Sequence, residues 1–128
     1  MNSLESAIKN ALDSGGESKE ANKAYLEFIK ANFIVPIDKN SEADAPEVLF
    51  LEEKGDVFMP VFTDIDYLHA WANEISDKIH LLRLSGVDLL KGLGDEVRIC
   101  LNPGSAIYKE FNAGEIARMR SMVLKLFK

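Results

Sequence analysis

The chain has little with which to fasten itself covalently or around a metal: one cysteine, Cys100, and two histidines, His69 and His80. A lone cysteine excludes an internal disulfide. Its setting in Val97-Arg98-Ile99-Cys100-Leu101 predicts a buried, inert thiol, because a reactive one needs an exposed, electropositive site. Positive charge is also scarce, with 15 basic residues against 21 acidic ones and a net charge of −6. Such a field repels phosphate backbones unless a local basic patch reverses it. The nearest patch is Arg118, Arg120, Lys125 and Lys128, residues that equally suit the negative end of a helix dipole, so no nucleic-acid partner is expected. Long apolar runs are missing too. The longest uncharged stretch, Ile99 to Tyr108, contains Asn, Pro, Gly and Ser and falls short of the ~20 apolar residues a membrane span requires. Glu5, Lys9 and Asp13 interrupt any signal-peptide core. These absences together lead to the expectation of a cytoplasmic protein with no membrane partner.

What is present suits a soluble domain: 47% hydrophobic and 28% charged residues over a length of 128, enough for one domain, residues 1–128, with its own core. Asn2 followed by Glu5 reads as a capping box, and Leu4, Ile8 and Leu12 then draw one helical stripe that Ser14-Gly15-Gly16 stops. A second helix is predicted from Lys19 to Asn32, with Ala21, Tyr25, Phe28 and Ile29 inward. Phe33-Ile34-Val35 before Pro36 is strand-like, and Asp38 to Pro46 is an acidic loop. Glu47 to Glu52 and Val57 to Phe62, around Glu53-Lys54-Gly55-Asp56, predict an antiparallel hairpin. Pro60 cannot donate to a ladder, so its position should be an edge or a bulge.

Thr63 and Asp64 cap the next helix, with Ile65, Leu68, Ala72 and Ile75 as its buried stripe. A strand from Lys78 to Leu84, a short helix from Val87 to Leu93, and strands at Val97 to Leu101 and Ile107 to Phe111 follow. Asn112 with Glu115 makes a second capping box, opening a last helix whose apolar face is Ile116, Met119, Val123 and Phe127. The predicted fold class is α+β: one mixed, mostly antiparallel sheet including the hairpin, with helices packed on it at the N-terminus, the middle and the C-terminus. A parallel pairing across the Ile65 helix stays open.

Each chemically suggestive cluster has a plainer explanation. In Asn102-Pro103-Gly104-Ser105, Pro sets φ for the second turn position, Gly accepts positive φ at the third, and Asn favours the first, which predicts a type II turn. It lacks the glycines and lysine of a phosphate loop, and Ser105 lacks a Gly-x-Ser-x-Gly setting. Gly92-Leu93-Gly94 is a helix stop rather than a dinucleotide fingerprint. Asp64, Asp66 and His69 could form a metal trio, but both acids suit a helix N-terminus. Asp38, Glu42, Asp44 and Glu47 lack the loop glycine of a calcium site. No metal or cofactor is expected. Phe50, Phe58, Phe62 and Trp71 are assigned to the core. Tyr67 falls on the helix face away from Ile65 and Leu68, and Met122 and Leu124 lie at the margin of the last stripe. Exposed together, such residues would form an adhesive patch.

Four ordered segments carry a family likeness: Phe33-Ile34-Val35-Pro36-Ile37; Phe58-Met59-Pro60-Val61-Phe62-Thr63-Asp64; the Tyr67, Leu68 and Trp71 helix; and Leu101-Asn102-Pro103-Gly104-Ser105 before a capped helix. Over about Ala21 to Phe127 the chain resembles the N-terminal domain of the SseB family, the bacterial "enhanced serine sensitivity" proteins. The resemblance implies a small cytoplasmic α+β domain with a binding or regulatory role and carries no catalytic motif. It also implies a second, C-terminal domain in full-length members; the expectation for residues 1–128 is a single N-terminal-type domain without it. The functional expectation is therefore a non-catalytic protein-binding or regulatory domain, with an unidentified protein partner or a homodimer. Its contact surface is expected at Tyr67, Trp71, Asn102, Pro103, Gly104 and Ser105. The alternative is a small-molecule or metal sensor, or a minor enzyme, with a pocket near Trp71 and one of the histidines.

Overall fold

The structure, a computed structural model, describes residues 3–15, 18–42 and 44–126, with the side chain of Leu126 excepted. The expected cap Asn2, the stop residue Gly16, and Phe127 and Lys128 lie outside the described residues. The chain opens with two helices, α1 (Ser3–Asp13) and α2 (Ser18–Lys30), then runs through β1 (Asn32–Asp38), β2 (Leu51–Glu53) and β3 (Asp56–Val61). Helix α3 (Ile65–Trp71) continues into a 3₁₀ helix (Asn73–Lys78), followed by β4 (Ile79–Ser85), α4 (Gly86–Gly92), β5 (Val97–Leu101), β6 (Lys109–Phe111) and α5 (Ala113–Leu126).

Strands β2-β3-β5-β6 form one sheet and β1-β4 a two-stranded one, with an antiparallel bridge between Ile34 and Phe62 joining them. Among the described residues only β3 and β5 pair in parallel, with Met59 beside Ile99; β1 with β4, β2 with β3, and β5 with β6 are antiparallel. The α+β class with a mostly antiparallel sheet thus holds. The parallel pair is not the one left open across the Ile65 helix, because β4, which follows that helix, pairs antiparallel with β1, and β3 takes β5 as its parallel neighbour instead. It is reached through a crossover containing α3, β4 and α4, consistent with the long connection parallel strands need.

Strand periodicity divides the core. On β1, Phe33 and Val35 join the larger core with Met59 and Val61 of β3, under α1, α2, α4 and α5. The intervening Ile34 turns to the opposite face and joins Phe62, Leu68, Ala72 and Ile79 beneath α3, as alternation along a strand requires. Three rings anchor the larger core, with Phe28 4.5 Å from Phe33 and 5.1 Å from Phe111. Burying each contributes about 2–3 kcal/mol. Gly86 lets α2 and the start of α4 meet: a Cβ there would lie 2.1 Å from the Phe28 carbonyl oxygen, and the Gly86 N–H donates to Ala31 O at 2.8 Å.

Several expectations need correction. The strand expected over Glu47 to Glu52 shrinks to Leu51–Glu53, because Asp38 N–H and Leu49 N–H bond across β1 to Glu47 O and Pro36 O instead. Likewise, the last strand begins at Lys109 and not Ile107. Phe50 is 54% exposed and not core, and Leu12 and Ile65 are exposed as well. Pro60 lies in β3, an interior strand. Its flank is nevertheless locally open, since β2 pairing ends at Phe58 and the next partner on that side is Ile34 at Phe62. The edge chemistry was right, and the edge is three residues wide, Met59 to Val61.

Candidate functional site

The expected contact surface resolves into a structural node and a half-buried ridge. The Asn102 turn forms: Ser105 N–H donates to Asn102 O at 3.2 Å and Gly104 takes φ of 79°, the type II arrangement. Asn102 itself, however, is fully buried, and Pro103 is buried beside it. Its Oδ1 accepts from Thr63 N–H at 3.0 Å and its Nδ2 donates to Thr63 Oγ1 at 3.0 Å. Thr63 Oγ1 in turn donates to Glu5 Oε1 at 2.9 Å. This chain of side chains ties α1, the β3–α3 junction and the end of β5 together. Asn102 and Pro103 therefore serve the interior, and of the turn only Gly104 is exposed, with Ser105 half-buried and donating to Asn102 O at 2.9 Å.

Trp71 is half-buried with its ring 5.5 Å from Phe62. Tyr67 packs against the same small core, and partial burial, aided by the negative charges of Glu5 and Asp64, pushes its hydroxyl pKa up. The two aromatics close the lid of a core more than they present a patch.

The acidic cluster nearby is a helix cap. Asp64 has extended φ and ψ, and its carboxylate accepts from Asp66 N–H at 2.8 Å, the N-cap arrangement. Among the described residues no three or more His, Cys, Asp or Glu stand where they could hold a metal ion. Cys100 is buried, and burial, with the negative charge of Glu110, pushes its thiol to about 11. Of the basic C-terminal residues, Arg120 donates to Leu90 O at 3.0 Å and pairs with Asp95, bracing the end of α4. Arg118 donates to Asn22 at 2.9 Å.

A feature that sequence reasoning missed is the outer edge of β4. On β1, Ile34 exchanges both backbone bonds with Phe62, at 2.8 and 2.9 Å, while Pro36 O and Asp38 N–H bond to the 47–49 segment. Residues 34, 36 and 38 thus spend their backbone groups on that flank. Phe33, Val35 and Ile37 must face β4, where the register sets them opposite Leu84, Leu82 and His80. Backbone groups alternate sides along a strand, so the N–H and C=O of Leu81 and Arg83 point outward. No other strand pairs with this side of β4 among the described residues. Leu81 is 38% exposed; Arg83 and His80 are exposed, and no partner for either occurs among the described residues. The sequence signal, Lys78 to Leu84, located the strand but not its place at the edge, which depends on pairing with β1, 49 residues earlier at the Ile34–Arg83 pair.

Nor did the sequence point to the cavity of about 360 Å³ lined by Ile8, Leu12, Tyr25, Lys109, Phe111 and Glu115. It lies between α1, α2, β6 and α5, not beside Trp71. Among the described residues no helix is long and apolar enough to cross a membrane. Comparisons with curated proteins and with solved structures return no significant match. The model of the SseB protein N-terminal domain matches residues 4–118, taking in α1, which the resemblance had left out. With nearly the whole fold inside that match, the chain belongs to the SseB N-terminal domain family.

Proposed function

We propose that this is a protein-binding domain without catalysis, and that it captures an extended segment of its partner along the outer edge of β4. The observation that carries the reading is the outward pair of backbone groups at Leu81 and Arg83 on a seven-residue strand. An unpaired strand edge is a ready template for another chain, and strand addition draws affinity from main-chain bonds and specificity from alternate side chains. Leu81 offers apolar contact, while Lys78, His80 and Arg83 concentrate basic groups on a chain of net charge −6. The fitting partner is an extended segment with an acidic residue opposite Arg83 and apolar ones flanking it.

Leu81→Pro tests this. It removes an outward N–H without touching the ladder to β1, the one way a proline fits an edge strand. Affinity capture with wild type, Leu81→Pro and Arg83→Glu should show the same partner lost with both variants. Recovery of the same proteins by all three contradicts the reading. Light scattering on the same samples separates a foreign partner from a second copy: a dimer abolished by Leu81→Pro assigns the edge to self-association.

A further inference from the structure

The cavity between α1, α2, β6 and α5 has the size of a small-molecule site, about 360 Å³, within the range of ordinary ligand pockets. Its apolar wall leaves the helical stripe of α1 unfinished. Leu4 and Ile8 are 2% exposed, but Leu12, one turn further on the same face, is 54% exposed and lines the cavity beside Tyr25 and Phe111. Leu12 overhangs open space where the pattern calls for a packed neighbour.

The polar end is specific. Glu115 Oε2 accepts from the Tyr25 hydroxyl at 2.9 Å and lies 3.1 Å from Lys109 Nζ. Glu115 Oε1 accepts from Asn112 N–H at 3.2 Å and from Lys109 Nζ at 3.4 Å. Those four contacts fill the lone pairs of the carboxylate, so a cationic ligand would have to displace Lys109. The ammonium is in the opposite position. It has three N–H donors; one bonds Glu115 Oε1 at 3.4 Å, Oε2 lies at ion-pair distance, 3.1 Å, and the nitrogen sits 5.2 Å from the centre of the Phe111 ring. The N-terminus of the 14-residue α5 adds partial positive charge at the same end. With Lys109 and Glu115 cancelling, the surplus is positive.

We propose that this cavity binds a small molecule with an apolar body, seated among Ile8, Leu12 and Phe111, and a carboxylate head that takes the spare N–H of Lys109. The site uses different elements from the β4 edge and stands independently of it.

Nuclear magnetic resonance titration of the ¹⁵N-labelled chain tests the proposal, with sodium octanoate below its micelle concentration as probe and 1-octanol and octylammonium as controls. Octanoate is expected to move the amides of Ala11, Leu12, Ala24 and Phe111 and to bind at least about tenfold more tightly than either control, the advantage of a charge-assisted bond. Lys109→Gln should remove that advantage while leaving octanol binding unchanged. Octanoate that leaves those amides unmoved, or that binds no better than octanol to the wild-type chain, overturns the proposal. Because the head-group comparison uses wild type alone, it holds whatever the variant does to folding.

Discussion

Asn102 occupies the left-handed region, with φ of 48°, at a site with no solvent exposure, where its amide holds both the N–H and the hydroxyl of Thr63. Asparagine is among the few residues that enter that region at small cost, and here its side chain is needed as well. Asn102→Ala is therefore expected to lower stability by about 2–4 kcal/mol, combining two lost bonds with backbone strain. Asn102→Gly should cost about 1 kcal/mol less, since only the bonds go. Urea unfolding of the two variants measures both terms. The sequence showed the turn, because Pro and Gly report backbone angles locally. It could not show that the asparagine points inward, because Thr63 lies 39 residues away.

Tyr25 makes a separate residue-scale test. Burial, then its bond to Glu115, raises its pKa from 10.0 to about 12. The unfolded chain thus gives up this proton first as pH rises. The stability associated with neutral Tyr25 is complete below pH 10 and is lost progressively through about pH 12. Denaturation series across that window should show a steeper alkaline decline for wild type than for Tyr25→Phe. Parallel profiles would contradict the assignment.

At the scale of elements, β4 is the informative strand. Leu82 directs its backbone groups to Val35 and Leu81 directs its own away, so two adjacent prolines should behave differently. Leu82→Pro breaks the ladder and crowds the larger core, costing about 3 kcal/mol or more. Leu81→Pro should cost under about 1 kcal/mol. Thermal melts of both variants check the contrast, and equal losses would mean that the edge is not where the register places it.

The same scale shows what the sequence made legible. Caps were readable: Glu115 N–H donates to Asn112 Oδ1 at 2.9 Å and Asp64 caps α3, as their local spacing demands. Pro60 correctly reported an unpaired flank. Phe50 misled, because a β-rich sequence pairs only if a partner strand is free, and β1 takes the 47–49 segment through two backbone bonds before β2 begins. The parallel neighbour of β3 was beyond reading for the same reason. Strand order is a long-range property, and edges follow from it.

For the whole molecule, one sheet system separates two unequal cores, and the family match covers nearly all of it. Among the described residues the outer sides of β2, β6 and β4 have no strand partner; β2 and β6 have three residues each, and the long one is β4, with seven. Its basic side chains stand against a net charge of −6, so capture of an acidic strand should weaken as salt rises past the range where charges ~10 Å apart are screened. The account depends on that open edge, and amide hydrogen exchange of the isolated domain tests it residue by residue. The predicted result is an alternation along β4, with slow exchange at His80, Leu82 and Leu84 and fast exchange at Leu81 and Arg83. Uniform protection of all five amides would contradict it.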